Sequence, residues 1–161
     1  MKKLYKQCGF IAGTVLLIFL AIDIYKYSQI FIWDSGAAYI RDATEQGDPF
    51  EMNDVTDFAW DRFYVFGPYM SREQMEETVG QKWTTHSYPG YLLYQRSYLG
   101  AYPHDSECCN SVVFMNKDDV VRDIFFNRSD VDFSNLPFGR AITREEAYIV
   151  VVEEHLLILP D

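Results

Sequence analysis

Histidine and cysteine are scarce, three of each in 161 residues, and the chain has no H-E-x-x-H, no G-x-S-x-G and no glycine-rich phosphate loop. Those absences remove the local signatures of zinc hydrolases, nucleophile-elbow hydrolases and nucleotide-binding enzymes, and no cofactor is expected. A Ser-His-Asp group can assemble from distant positions, but His86, His104 and His155 carry no local sign of one. Cationic side chains are also few. Residues 24–161 hold 11 of the 14 Lys+Arg and 23 of the 24 Asp+Glu, a net of −12. A field of that sign repels phosphate backbones, which argues against nucleic acid and favours a basic protein partner. The alternative is that the acidic surface serves solubility alone. Internal repeats, low-complexity tracts and a long Pro/Ser-rich linker are all missing.

The three cysteines are Cys8, Cys108 and Cys109. Neighbouring Cα atoms lie only ~3.8 Å apart, below the usual disulfide range, so the adjacent pair is no ordinary structural staple. A disulfide-built fold is excluded, whereas an oxidising compartment is not.

Apolar material is plentiful: 48% of residues are hydrophobic and 17% aromatic, enough for a real core in one domain plus an attachment. The attachment is N-terminal. Lys2, Lys3 and Lys6 precede residues 8–22 (CGFIAGTVLLIFLAI), which carry no charge. That layout suits a signal peptide or an uncleaved anchor. A small-x-small cleavage site is missing around Ala21, and Cys8 precedes the apolar run, unlike the lipidated cysteine of a lipoprotein. The reading is therefore an uncleaved single-pass helix, with a cleaved secretory peptide as the alternative. Spanning the hydrocarbon takes about 20 residues, so the helix borrows residues past Asp23, with Lys26 snorkelling. Tyr25, Tyr27, Phe31 and Trp33 form an interfacial aromatic belt. The three leading lysines place the N-terminus in the cytoplasm. The expected location is the inner (cytoplasmic) membrane. Residues 1–33 are then tip, span and belt, and residues 34–161 a periplasmic or extracellular domain.

Within that domain, Asp34 or Ser35 caps a helix through GAAYIRDATEQ, with Ala37, Ile40, Ala43 and Thr44 on one face and Gly47 as its stop. This helix and the membrane span can form one continuous stalk. Residues 58–80 (FAWDRFYVFGPYMSREQMEETVG) read as a strand, a Gly-Pro corner and a short capped helix. The run Phe63, Tyr64, Val65, Phe66 has no polar alternation, as in a strand covered on both sides or a strand end. Ser71 with Gln74 gives a capping box, Met75 and Val79 share the buried face, and Gly80 ends the helix. Residues 91–97 (YLLYQRS) suggest a strand. A hairpin follows: residues 111–115, a turn at Asn116 to Asp119, and residues 120–127, whose two-faced alternation is imperfect. Thr143 with Glu146 repeats the capping-box pattern ahead of β-branched residues, giving a short helix from Arg144 that passes into extended chain. The fold class is α+β: an N-terminal transmembrane helix, then one small domain with helices packed on one face of an antiparallel sheet.

The segment WDRFYVFGPY, with Ser71 and Gly80 nine positions apart behind it, resembles a motif of small bacterial envelope proteins and lipoproteins. The helix-then-meander order is similar to the β-lactamase-inhibitor-protein-like domains, a group that includes small outer-membrane assembly lipoproteins. The resemblance covers residues 60–126 and departs from the lipoproteins in lacking their lipidated cysteine. It implies a binding or assembly module and not an enzyme, and it carries over no ligand-contacting residue.

Few constellations could carry chemistry. His104, Cys108 and Cys109 lie in the one cluster of metal-ligand types, HDSECC, but adjacent side chains rarely converge on one ion, so a polar loop is the favoured reading. A vicinal or an intermolecular disulfide is a further option. Arg62, after Trp60 and Asp61, is a candidate anion-recognising residue; the plainer reading has Trp60 filling core while Asp61 and Arg62 point outward or pair. Tyr91, Tyr94, Tyr98 and Tyr102 are candidate contact residues for a protein or a glycan, against ordinary core packing. The leading expectation is a non-enzymatic, membrane-tethered protein-binding module, of immunity or inhibitor type or an accessory subunit of an envelope complex. A peptidoglycan- or glycan-binding domain is the alternative, and an envelope hydrolase the third.

Overall fold

The computed structural model describes residues 2–31, 35–83, 107–152 and 155–158. Helix α1 (Lys2–Phe31) runs for 30 residues, about 45 Å at 1.5 Å per residue. Its stretch Gly9–Ile30 has a mean hydropathy of 1.8 and none of it is buried by the rest of the chain. This is one N-terminal helix long and apolar enough to cross a membrane. Helix α2 (Ser35–Gln46) follows, and the residues on which the expected continuous stalk depends lie outside the described ones. Ala37, Ile40 and Thr44 are its buried stripe, and Gly47 ends it at φ 76°.

The remaining elements among the described residues are β1 (Phe50–Glu51), β2 (Arg62–Phe66), α3 (Arg72–Val79), β3 (Cys109–Asn116), β4 (Asp119–Asn127), β5 (Ile142–Thr143), β6 (Tyr148–Val152) and β7 (His155–Ile158). They form two antiparallel sheets, one of order β4-β3-β2-β5 and one of order β1-β6-β7. The class is α+β, as expected. The capping box of α3 is complete: Gln74 N–H donates to the Ser71 hydroxyl, Ser71 N–H donates to the Gln74 side chain, and Gly80 closes the helix in the left-handed region. The strand expected at 91–97 lies outside the described residues.

Two expectations are corrected. Thr143 N–H does donate to the Glu146 carboxylate, one half of a capping box, but Glu146 N–H donates to the Thr143 backbone carbonyl, and together the two bonds close a turn and not a helix. The β-branched run Ile149 to Val152 then pairs in β6, because its stiff side chains suit a pleated surface better than a helix. Nor do the helices share one sheet face. Four consecutive apolar residues in β2 leave both faces needing cover, and each face has its own cluster. On the first, Phe63, Val65, Val112, Phe114, Ile124 and Phe126 pack with Ala37 and Ile40 of α2 and with Met52, Phe133 and Ile149. On the second, Tyr64, Phe66, Val113, Met115 and Val120 pack with Met75 and Val79 of α3 and with Trp83.

Aromatic edges knit the first cluster: Phe114 meets Phe58 at 5.1 Å, Trp60 at 5.6 Å and Phe63 at 5.5 Å between ring centroids. The imperfect alternation of β4 has a structural cause. A bulge between Phe114 and Met115 leaves Val121 without a partner, so Val120 enters the second cluster while Val121 packs against the first.

Candidate functional site

Among the described residues β4 is an edge strand, and the last turns of α1 lie beside its start; Ile30 packs against the second cluster. An uncovered edge invites pairing with other chains, so this joint protects the sheet as well as tethering it. Between α1 and the sheet lies a cavity of about 350 Å³, lined by Tyr25, Gln29 and Ile30 on one side and by Lys82, Trp83 and Arg122 on the other. The Arg122 guanidinium sits 4.7 Å from the Phe58 ring centroid, and burial lowers its pKa against the pull of Asp57.

The β3–β4 turn at the same end explains the Trp60-Asp61-Arg62 motif. Trp60 is core, and its indole N–H donates to Thr56 Oγ1 at 2.8 Å. Lys117 turns the corner at φ 56°, a strained value for a residue with a side chain. Asp61 accepts from the Lys117 N–H at 2.5 Å, Arg62 donates to the Lys117 carbonyl at 2.6 Å, and Arg62 and Asp61 pair with each other at 2.9 Å. The two charged residues therefore grip both backbone groups of the strained residue, so Arg62 is placed as a turn clamp.

Beneath α3 the second face carries a buried acid. Asp123 accepts from the Trp83 indole N–H at 2.7 Å and from the Ser111 hydroxyl at 2.7 Å. Burial pushes the carboxyl up to about 6, and the two hydrogen bonds only partly oppose it. The carboxyl thus changes charge within a mildly acidic range while enclosed by protein.

At the opposite end of the sheet the surface differs. Phe138, 42% exposed, lies over Gly67, where a Cβ would come within 2.7 Å of its ring; glycine is what lets the ring approach. Tyr69, 63% exposed, holds the left-handed conformation at φ 63°. The pKa of its phenol, hydrogen-bonded to Glu107, is raised by desolvation first and by that carboxylate second. Next to Glu107 the two thiols converge: Cys108 Sγ and Cys109 Sγ are 3.0 Å apart. Convergence is possible because Cys108 belongs to a turn while Cys109 opens β3, so the strict up-down alternation of a strand does not apply. Burial pushes the Cys109 thiol up to about 11, with the Cys108 contact adding to it.

Arg128 fixes that turn. Its backbone N–H donates to the Cys108 carbonyl at 2.8 Å and its guanidinium to the Glu107 carbonyl at 3.1 Å. Asp132, buried, pairs with the guanidinium at 3.2 Å and accepts from Ser134. Burial alone would raise its pKa, but hydrogen bonds from Arg128 and Ser134 hold the carboxyl down at about 2.

Of the residues singled out in the sequence, Cys108 and Cys109 come together and Arg62 closes a turn at the other end of the sheet. Tyr91, Tyr94, Tyr98, Tyr102 and His104 lie outside the described residues. Among the described residues, no three His, Cys, Asp or Glu side chains gather closely enough to hold a metal ion. Sequence reasoning missed Asp123 and Tyr69. The broken alternation of β4 was a signal for the first, and the Gly67-Pro68 corner for the second. Compared with known protein families, curated proteins and solved structures, the chain finds no match.

Proposed function

We propose that the protein is a non-enzymatic, membrane-anchored binding module of the bacterial envelope. In this reading α1 crosses the inner membrane with its lysines in the cytoplasm, and the acidic domain sits just outside. There it captures a basic protein, as an immunity or inhibitor protein does, or as an accessory subunit of an envelope complex. The observation that carries the reading is the joint between α1 and β4. An apolar helix exposed over residues 9–22 ends with Ile30 packed on the domain, so whatever the domain binds is bound at the bilayer surface. The net charge of −12 beyond residue 23 supports a cationic partner, which such a field steers and holds. The far end of the sheet, with Tyr69 and Phe138 exposed, supplies aromatic contact groups of the kind enriched in protein interfaces.

Crosslinking and affinity purification of the full chain from native membranes tests this. The expected result is one basic protein, retained at ~50 mM salt and lost at ~500 mM as the charges are screened. Tyr69→Ala should weaken capture, while Tyr39→Ala, on the exposed side of α2, should leave it unchanged. A salt-insensitive or acidic partner overturns the reading, and retention on cell-wall sacculi would favour a glycan instead. The topology has its own control. Protease added to intact spheroplasts should remove the domain, and its survival there, with loss only after lysis, reverses the orientation.

A further inference from the structure

We infer that Cys108 and Cys109 form a reversible dithiol site, which closes to a vicinal disulfide by exchange with a small disulfide oxidant. The geometry carries it. Side chains of consecutive residues normally diverge, yet these sulfurs are 3.0 Å apart and need to approach by only about 1 Å to bond. Cys108 is exposed, so an oxidant can reach it, and Cys109 is half-buried behind it. The backbone on either side is pinned. Arg128 holds the carbonyls of Glu107 and Cys108, Asp132 holds Arg128, and Cys109 is in register with Asn127. The turn is thereby kept in the shape that makes the sulfurs meet.

The chemistry balances with a disulfide, R–S–S–R, as the oxidant. The Cys108 thiolate attacks one sulfur, the R–S–S–R bond breaks, and the leaving thiolate takes up a proton as the first R–SH. Cys109 then loses its proton and attacks the Cys108 sulfur of the mixed disulfide, expelling the second R–SH. Two electrons and two hydrogens pass from the protein thiols to the oxidant, which leaves as two thiols. The raised pKa of Cys109 assigns the first attack to Cys108 and makes the second step respond to pH. A ring closed across adjacent Cα atoms departs from the usual disulfide span, so it is strained and easily reduced, which suits a reversible site and not a staple. Closure moves the peptide next to Glu107, whose carboxylate holds the exposed Tyr69, and so links the redox state to the proposed contact surface. That last link rests on the binding reading above; the redox chemistry does not.

The test uses the full chain in detergent micelles, with Cys8→Ser so that the two thiols are the only ones. Oxidised glutathione is titrated in, the reaction is quenched with N-ethylmaleimide, and intact mass is read. The expected product is monomeric, ~2 Da lighter than the reduced chain, and carries no maleimide. Reduced protein should also bind phenylarsine oxide one-to-one, a probe that bridges paired thiols, and Cys109→Ser should abolish this. Arg128→Ala, checked by circular dichroism for an intact fold, should slow ring closure about tenfold by letting the sulfurs drift apart. Stable glutathione adducts on both cysteines, a disulfide-linked dimer, or two maleimides on the oxidised sample would each overturn the inference. None of these results depends on membrane orientation or on a protein partner, so the two proposals fail separately.

Discussion

The two faces of the sheet formed by β4, β3, β2 and β5 are both covered by helix, α2 on the first and α3 with the end of α1 on the second, and are built from different materials. The first face is apolar at its centre: Phe63, Val65, Val112, Phe114, Ile124 and Phe126 under α2, with aromatic rings edge to face and polar groups such as Asn110 at its margin. The second is apolar around a polar centre, where Asp123, Ser111 and Trp83 share two hydrogen bonds under α3. A buried apolar group contributes stability at any pH, whereas a buried acid contributes a stability that depends on its charge. The difference assigns cohesion to the first face and pH response to the second.

The strongest way to break that comparison is Phe114→Ala. The ring is fully buried and touches Phe58, Trp60 and Phe63, so its removal should cost about 3–5 kcal/mol. Val113→Ala, the neighbour facing the other cluster, should cost about 2 kcal/mol. Denaturant titration of the full chain in detergent, followed by tryptophan fluorescence, measures both. Equal losses would mean that the faces share cohesion evenly.

Asp123→Asn sharpens the second half. The native carboxyl titrates at about 6 against an ordinary 3.8, so protonation favours the folded state. Its contribution is complete below pH ~4, fades as pH rises through ~6, and by neutral pH about 3 kcal/mol has gone. Asparagine stays neutral: its carbonyl can accept from Trp83 and its amide donate to Ser111. The variant should be about 1–2 kcal/mol more stable than the native chain at pH 7.5, and flatter between pH 4 and 7. Asp132 works in the opposite sense, because its lowered pKa makes the Arg128 clamp hold above pH ~4 and loosen as pH falls towards 2. A native stability that rose from pH 4 to 7 would show that Asp123 is not the governing group.

The contrast also separates what was legible in the residues from what was not. The α3 helix could be read in full, since Ser71, Gln74 and Gly80 act within one turn of their own backbone. The hairpin and its turn were equally local. The partition of β2 between two faces could be seen as a four-residue apolar run, but not which helix would cover which side; that depends on which cluster each helix joins, α2 with Phe63 and Val65 or α3 with Tyr64 and Phe66, and a local pattern does not set it. The turn after β5 misled because the Thr143–Glu146 hydrogen bonds are common to a helix start and a tight turn, and only the pairing of β6 with β1 and β7 decides between them. The approach of Cys108 and Cys109 stood in the sequence only as one option beside a polar loop, for another reason: it depends on where β3 begins, and a boundary one residue earlier would send the sulfurs to opposite faces.

Smaller effects belong to the end of the sheet nearest α1, which both faces share. Asp61→Ala removes the acceptor for the Lys117 N–H and the partner of Arg62, and should cost about 1–2 kcal/mol. A chain that lost nothing would show the clamp to be incidental to the turn.

Lys117→Gly asks whether that clamp exists to hold strain. At φ 56° a lysine backbone is disfavoured and a glycine is not, while the N–H and C=O that Asp61 and Arg62 grip belong to the main chain and survive the change. The variant gains by relief of strain and loses by the greater freedom of an unfolded glycine, leaving a net stabilisation of about 0.5 kcal/mol. The more telling quantity is the coupling. If Asp61 acts by forcing a reluctant residue around the corner, Asp61→Ala should cost about 0.5 kcal/mol less in the glycine background than in the native one. Additive changes would instead make the Asp61–Lys117 contact an ordinary hydrogen bond, worth the same whatever residue turns the hairpin.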